Sequence, residues 1–128
     1  MHRLALKRYP KSYDIETAER WIRSIVLTNI LTYQAIRTDR AYCISMVNIL
    51  PWTPGDPEVN VVVLCAEPEA GMDAIRLCRA SIEWSHKRNA KRWYIQSETD
   101  YDLKPIAFRV GARSVRERYY FDLRDAHG

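Results

Sequence analysis

The chain has 128 residues, 47% of them hydrophobic, and a formal net charge of +4. That length suits one domain with its own core, and a second is not expected. No run of about 18 apolar residues occurs, and Arg3, Lys7, Arg8, Lys11, Asp14 and Glu16 break up the start, so neither a membrane span nor a signal peptide is expected.

Cys43, Cys65 and Cys78 lie in apolar segments without CxxC spacing, which predicts reduced core thiols and a cytoplasmic protein rather than disulfides or zinc ligands. The charge is uneven. Asp56, Glu58, Glu67, Glu69 and Asp73 fall in one stretch with no Lys or Arg, whereas residues 87–124 hold ten bases against five acids. A basic segment of that kind attracts polyanions weakly even without a specific site, although a solvated surface explains it as well.

In chain order, Leu4 and Leu6 alternate as in a short edge strand that Pro10 closes. Ser12 or Asp14 offers an N-cap, and Ile15, Ala18, Ile22 and Ile25 recur at helical spacing, predicting an amphipathic helix to about Thr28. Residues 33–37 and 41–50 read as a hairpin around Thr38-Asp39-Arg40. The run from Pro51 to Pro57, with three prolines and Gly55, is a loop. There Trp52 is expected as a staple over the core edge rather than a lid or partner anchor. Residues 59–66 are an almost unbroken apolar run, the pattern of a central strand covered on both faces, and Pro68 ends it. Beyond Gly71, the residues Ile75, Cys78 and Ile82 mark a helix of about five turns that Asn89 can terminate. A strand over 92–97, a short helix from Asp100 through Phe108, a turn at Gly111 and a last strand over 114–123 complete the chain. The expected class is α/β (α+β), a mixed sheet with flanking helices in the order β-α-β-β-β-α-β-α-β, with ligands taken beyond the C-terminal ends of the parallel strands.

That order, the segment from Val61 to Leu77 (strand, Pro68, Gly71, helix), and Lys104-Pro105-Ile106-Ala107-Phe108-Arg109-Val110-Gly111-Ala112 followed by Tyr119-Tyr120-Phe121-Asp122-Leu123 resemble the GNAT N-acetyltransferase superfamily. The resemblance covers nearly the whole chain and implies a single GNAT-like domain over 1–128 that moves an acetyl group from acetyl-CoA to an amine not identifiable from the sequence. It equally admits a GNAT-fold binding or structural module without catalysis, and the short length would suit a small viral member.

In the family the acyl-CoA diphosphate rests on backbone N–H groups of a loop written Arg/Gln-x-x-Gly-x-Gly/Ala, at the positive end of the long helix. The matching stretch here is Pro68-Glu69-Ala70-Gly71-Met72-Asp73. By resemblance, Leu64, Ala66, Gly71, Met72, Asp73 and Arg76 are the cofactor-binding candidates. Glu67, Glu69 and Asp73 oppose a diphosphate unless a cation intervenes, and Arg76 or Arg79 could supply one. An acidic helix N-terminus stabilised by its dipole explains the same residues. For acid–base chemistry, Ala107 stands where many members have Tyr, which leaves Glu58 and Tyr101 as catalytic candidates; a surface carboxylate and a packed aromatic are their plainer readings. His2, His86 and His127 are too scattered for a metal site. As another class of partner, single-stranded nucleic acid could meet Arg109, Arg113, Arg116, Arg118, Tyr119 and Tyr120, although alternate strand residues face opposite sides. No membrane partner is expected.

Overall fold

The computed structural model describes residues 2–8, 13–96, 103–114, 121 and 123. The first element is a helix, α1 (His2–Arg8), and not the expected edge strand. Leu, Ala, Lys and Arg are strong helix formers, and the stretch has no β-branched residue to favour a pleat. Leu4 and Ala5, adjacent in sequence, are both buried with Cys65, which the two-sided alternation of a strand does not allow.

The next helix, α2 (Ile15–Trp21), is capped by Asp14, whose carboxylate accepts from the Glu16 and Thr17 amides at 3.1 and 3.5 Å. Over Ile22–Val26 it widens into a π-helical turn, with the Leu27 amide donating to the Ile22 carbonyl at 2.9 Å. The wider turn shifts the apolar stripe. Ile22 and Val26 are buried, whereas Ile15 and Ile25, expected on the core face, are 44% and 42% exposed.

Four strands form one sheet in the order β1 (Tyr33–Arg37), β2 (Ala41–Asn48), β3 (Glu58–Ala66) and β4 (Arg92–Ile95). β1 and β2 make the expected hairpin, β2 and β3 are antiparallel, and β3 and β4 run parallel. α3 (Gly71–Lys87) is the crossover between the parallel strands, and Asn89, at φ 58°, follows its end as expected. The face carrying Ala41, Cys43 and Leu64 packs under Ala74, Ile75, Leu77 and Cys78 of α3, with Ile106 of α4 (Lys104–Val110) joining the same cluster. The opposite face is covered by α1 over Cys65 and by the π turn over Ile44. The apolar run of β3 is thus covered on both faces except at Val62, and it lies between two strands as far as Val61. Gly111, at φ 79°, ends α4 in the left-handed conformation that glycine adopts without strain. Trp52 is 76% exposed and is no staple over the core. Asp100, residues 115–120 and Asp122, which carry the expected cap and most of the last strand, lie outside the described residues.

Between α3 and the sheet runs a buried hydroxyl chain. The Ser45 and Ser81 hydroxyls lie 2.5 Å apart, and the Trp93 indole N–H donates to Ser81 Oγ at 2.9 Å. Ser81→Ala leaves the Ser45 hydroxyl and the Trp93 N–H without that partner in the core, so a loss of about 1–3 kcal/mol is expected in chemical denaturation. A change under about 0.5 kcal/mol would show that the chain contributes little.

All three cysteines are buried, and none is in a disulfide. Burial pushes Cys43 up to about 12 and Cys78 up to about 11. Because the thiolate is the reactive form, a thiol reagent at pH 8 is expected to label these two only as fast as the protein unfolds, with rates rising in denaturant. Rapid labelling of the folded protein would contradict their placement.

Candidate functional site

β3 is held by β2 along its whole length but by β4 only from Glu58 to Val61, where Val61 stands opposite Ile95. The sheet therefore has a notch on its β4 side, above which β3 continues to Ala66. At the lip of this notch the register changes. Ile44 pairs with Val63 and Ser45 with Val61, so Val62 has no partner on β2 and forms a β-bulge. Val62 is 43% exposed, the one break in the covering of the central strand. A bulge re-aims backbone groups, and here it does so where the parallel ladder stops.

Above the notch, β3 turns into α3 through Glu67-Pro68-Glu69-Ala70. Ala70 is the N-cap and gives no side-chain bond, so the amides of Gly71, Met72 and Asp73 have no acceptor among the described residues. A Cβ built on Gly71 meets nothing within 4 Å, and Gly71 and Met72 are exposed. Three N–H donors without a side-chain cap at the positive end of a 17-residue helix fit a phosphate group.

The acids around this loop are each engaged. Glu67 accepts from Arg3 Nη1 at 2.8 Å and Arg40 Nε at 3.3 Å, and Arg40 Nη2 reaches Glu69 at 3.4 Å. Thr38 Oγ1 donates to Asp73 Oδ2 at 2.6 Å, and the Glu67 amide donates to the Arg40 carbonyl at 2.9 Å. The β1–β2 turn is therefore fastened to both ends of the loop. Sequence reading anticipated the acids but looked to Arg76 and Arg79 for the compensating charge. Arg79 instead donates to the Arg109 carbonyl at 3.4 Å, and Arg76 is exposed with no ion pair among the described residues. Nothing local in the sequence marks Arg40, which lies 27 residues from Glu67.

Of the other cofactor candidates, Leu64 is buried in the α3 core and Ala66 packs at its edge, so each can offer only backbone to a ligand in the notch. Glu58 lies at the opposite end of β3, about 13 Å along the strand from Val62 at a rise of about 3.3 Å per residue. There Tyr94 donates its hydroxyl to Glu58 Oε1 at 3.4 Å, and Arg92 Nη1 donates to the Tyr94 hydroxyl at 3.3 Å. Tyr101 lies outside the described residues. Ala107 sits on α4 beside an open cleft of about 460 Å³ whose walls include Ile95, Leu103 and Phe108. Ile95 belongs both to this cleft and to the lip of the notch. Arg109 and Arg113 are exposed, while Arg116, Arg118, Tyr119 and Tyr120 lie outside the described residues. Among the described residues no group of three or more His, Cys, Asp or Glu could hold a metal ion, and no helix is long and apolar enough to cross a membrane.

The mixed four-stranded sheet with its flanking helices is a GNAT-like fold. Solved structures of that class share it. A probable acetyltransferase superposes with a TM-score of 0.68 at 11% identity over 94% of this chain and 85% of its own. An aminoglycoside 6'-N-acetyltransferase from Acinetobacter haemolyticus matches with a TM-score of 0.66, 15% identity, and 94% and 89% of the two chains. An aminoglycoside acetyltransferase from an uncultured soil sample, solved with sisomicin, gives 0.66 at 12% identity, covering 94% and 84%. No protein-family model and no curated protein matches the chain in sequence.

The Arg40 and Arg3 guanidiniums hold the Glu67 carboxyl below the usual carboxylate range, Arg40 contributing most. A carboxyl depressed by folding adds stability above its unfolded value of about 4.3, and that stability is lost as pH falls through the lower folded value. Glu67→Gln is therefore expected to melt below the unaltered protein at pH 7, with the difference closing as pH falls from about 5 through the lowered folded value. A difference constant across that range would show that the pairing adds nothing to stability.

Proposed function

We propose that this protein is an N-acyltransferase that uses acetyl-CoA as its co-substrate and an amine as acceptor. The observation that carries the reading is the end of the β3–β4 ladder at Val61, with a bulge beside it and, at the far end of β3, three amides of α3 without an acceptor among the described residues. Acetyl-CoA would supply the acetyl group as a thioester. The Gly71, Met72 and Asp73 amides would hold its diphosphate, Arg76 would add charge from the second turn of α3, and the backbone of Leu64 and Ala66 would line the notch. The acceptor must lose a proton as its nitrogen forms the new C–N bond and the C–S bond breaks, and the leaving sulfur must gain one. Glu58 and Tyr101 remain the side chains proposed for these transfers. Glu58, about 13 Å from Val62 along the strand, would act on an acceptor lying along the β3–β4 edge.

A GNAT-fold module that binds without catalysis is the second reading, favoured by Ala107 in place of the family's Tyr. Weak attraction of nucleic acid to Arg109 and Arg113 is a third, and such binding would fall steeply with salt and show little sequence preference.

Thermal melting with acetyl-CoA tests the first reading. A ligand bound only by the folded state adds RT ln(1 + [L]/Kd), about 2.7 kcal/mol at a hundredfold excess over Kd, which is a shift of several degrees in a domain of this size. The expected result is a small rise at millimolar acetyl-CoA, reduced in Gly71→Val. The open space at Gly71 lets this variant fold, while its side chain fills the room over the amides. No rise at saturating acetyl-CoA would remove the enzyme reading. Binding without acetyl transfer to any of a panel of amines would favour the module.

A further inference from the structure

We infer that Arg40, from the turn between β1 and β2, is the cation that receives the cofactor's phosphates, and that it is held for that task by Glu67 and Glu69. The inference rests on the acetyl-CoA reading above and assigns the charge that the loop itself lacks, since Pro68 stands at the family's basic position. Its backbone is fixed where it is needed. The Arg40 amide donates to Thr38 Oγ1 at 3.2 Å, that same hydroxyl donates to Asp73 in the first turn of α3, and the Arg40 carbonyl accepts from the Glu67 amide at 2.9 Å. The side chain thus starts beside the loop, two residues from the Thr38 hydroxyl that bonds the helix carrying the bare amides.

Its two carboxylate partners differ. Glu67 is 22% exposed and shared with Arg3, whereas Glu69 is 89% exposed and, among the described residues, meets only Arg40 Nη2, at 3.4 Å. A contact so exposed is weak and readily exchanged. A phosphate offers a stronger acceptor with more charge, and a guanidinium binds it through paired N–H donors. The Nη2 group can therefore leave Glu69 for a phosphate while Nε stays on Glu67, so that ligand binding needs no movement of the backbone. Retained Glu67 orients the guanidinium, and displaced Glu69 competes with the ligand. This also answers the objection that three acids surround the loop, because Glu67 stays neutralised by Arg3 and Arg40 and Asp73 stays bonded to Thr38.

Calorimetric titration with CoA and with pantetheine, which has the same arm without phosphates, tests this on the whole protein. Arg40→Ala is expected to weaken CoA binding about tenfold, equivalent to about 1.4 kcal/mol, and to leave pantetheine binding unchanged. Glu69→Gln is expected to tighten CoA several-fold. Glu83→Gln, with the same change in net charge but 12 positions along α3 from Gly71, about 18 Å at 1.5 Å per residue, is expected to leave it unchanged. Ligand-free melting of each variant controls for folding, and Glu69→Gln removes only one exposed contact. CoA bound equally well by Arg40→Ala and the unaltered protein would overturn the assignment while leaving the acetyl-CoA reading intact. Equal tightening by Glu69→Gln and Glu83→Gln would overturn the exchange at Glu69. No CoA binding by the unaltered protein would overturn both the assignment and the proposed function.

Discussion

The strand β3 must satisfy two neighbours of unequal length, and much of the molecule follows from that constraint. β2 holds it from end to end, while β4 joins it only below Val62. The extra residue at Val62 is accommodated where one neighbour is lost, so the bulge and the notch coincide. Helices then close both faces. α3 returns the chain from β3 to β4 and buries Leu64 under Ile75 and Cys78, while α1 and the π turn cover Cys65 and Ile44 on the other side. With both faces covered, the amides at the mouth of α3 are left, among the described residues, as backbone donors that a ligand can meet.

Electrostatics at that mouth would be unfavourable to an anion if the loop stood alone. Glu67 and Glu69 precede a helix whose positive end already attracts negative charge, and Asp73 lies in its first turn. The fold resolves this with residues from elsewhere. Arg3 comes from α1 and Arg40 from the hairpin turn, and the Thr38 hydroxyl takes the Asp73 carboxylate. The same bonds anchor α1 and the hairpin to the core, so the charge arrangement and the position of the N-terminal helix are one structural feature. The amides of Gly71, Met72 and Asp73 remain uncapped in the midst of it.

What the sequence disclosed and what it hid differ by range. The central strand, the loop broken by Pro51, Pro54 and Pro57, the helix from Gly71 and the turn at Gly111 are legible because periodicity and Pro or Gly punctuation act within a few residues. The stretch at Leu4 is short enough to satisfy strand and helix patterns alike, and contact with Cys65 decides it. The π turn is likewise set by tertiary packing, since burial of Ile22 and Val26 over Ile44 and not of Ile25 selects the wider turn. Within the site, Gly71 and its neighbours could be named from a motif, whereas Arg40 could not, because its partners Glu67 and Glu69 come from a distant part of the chain.

Hydrogen exchange of the amides with and without acetyl-CoA addresses the central claim most directly, since that claim concerns backbone N–H groups at the end of β3 and the start of α3. The account predicts slowed exchange at Gly71, Met72 and Asp73 and along Val62 to Ala66, with the far end of α3 at His86 and Lys87 unaffected. Saturating acetyl-CoA that leaves Gly71 to Asp73 unprotected, or that protects a different surface, would contradict it.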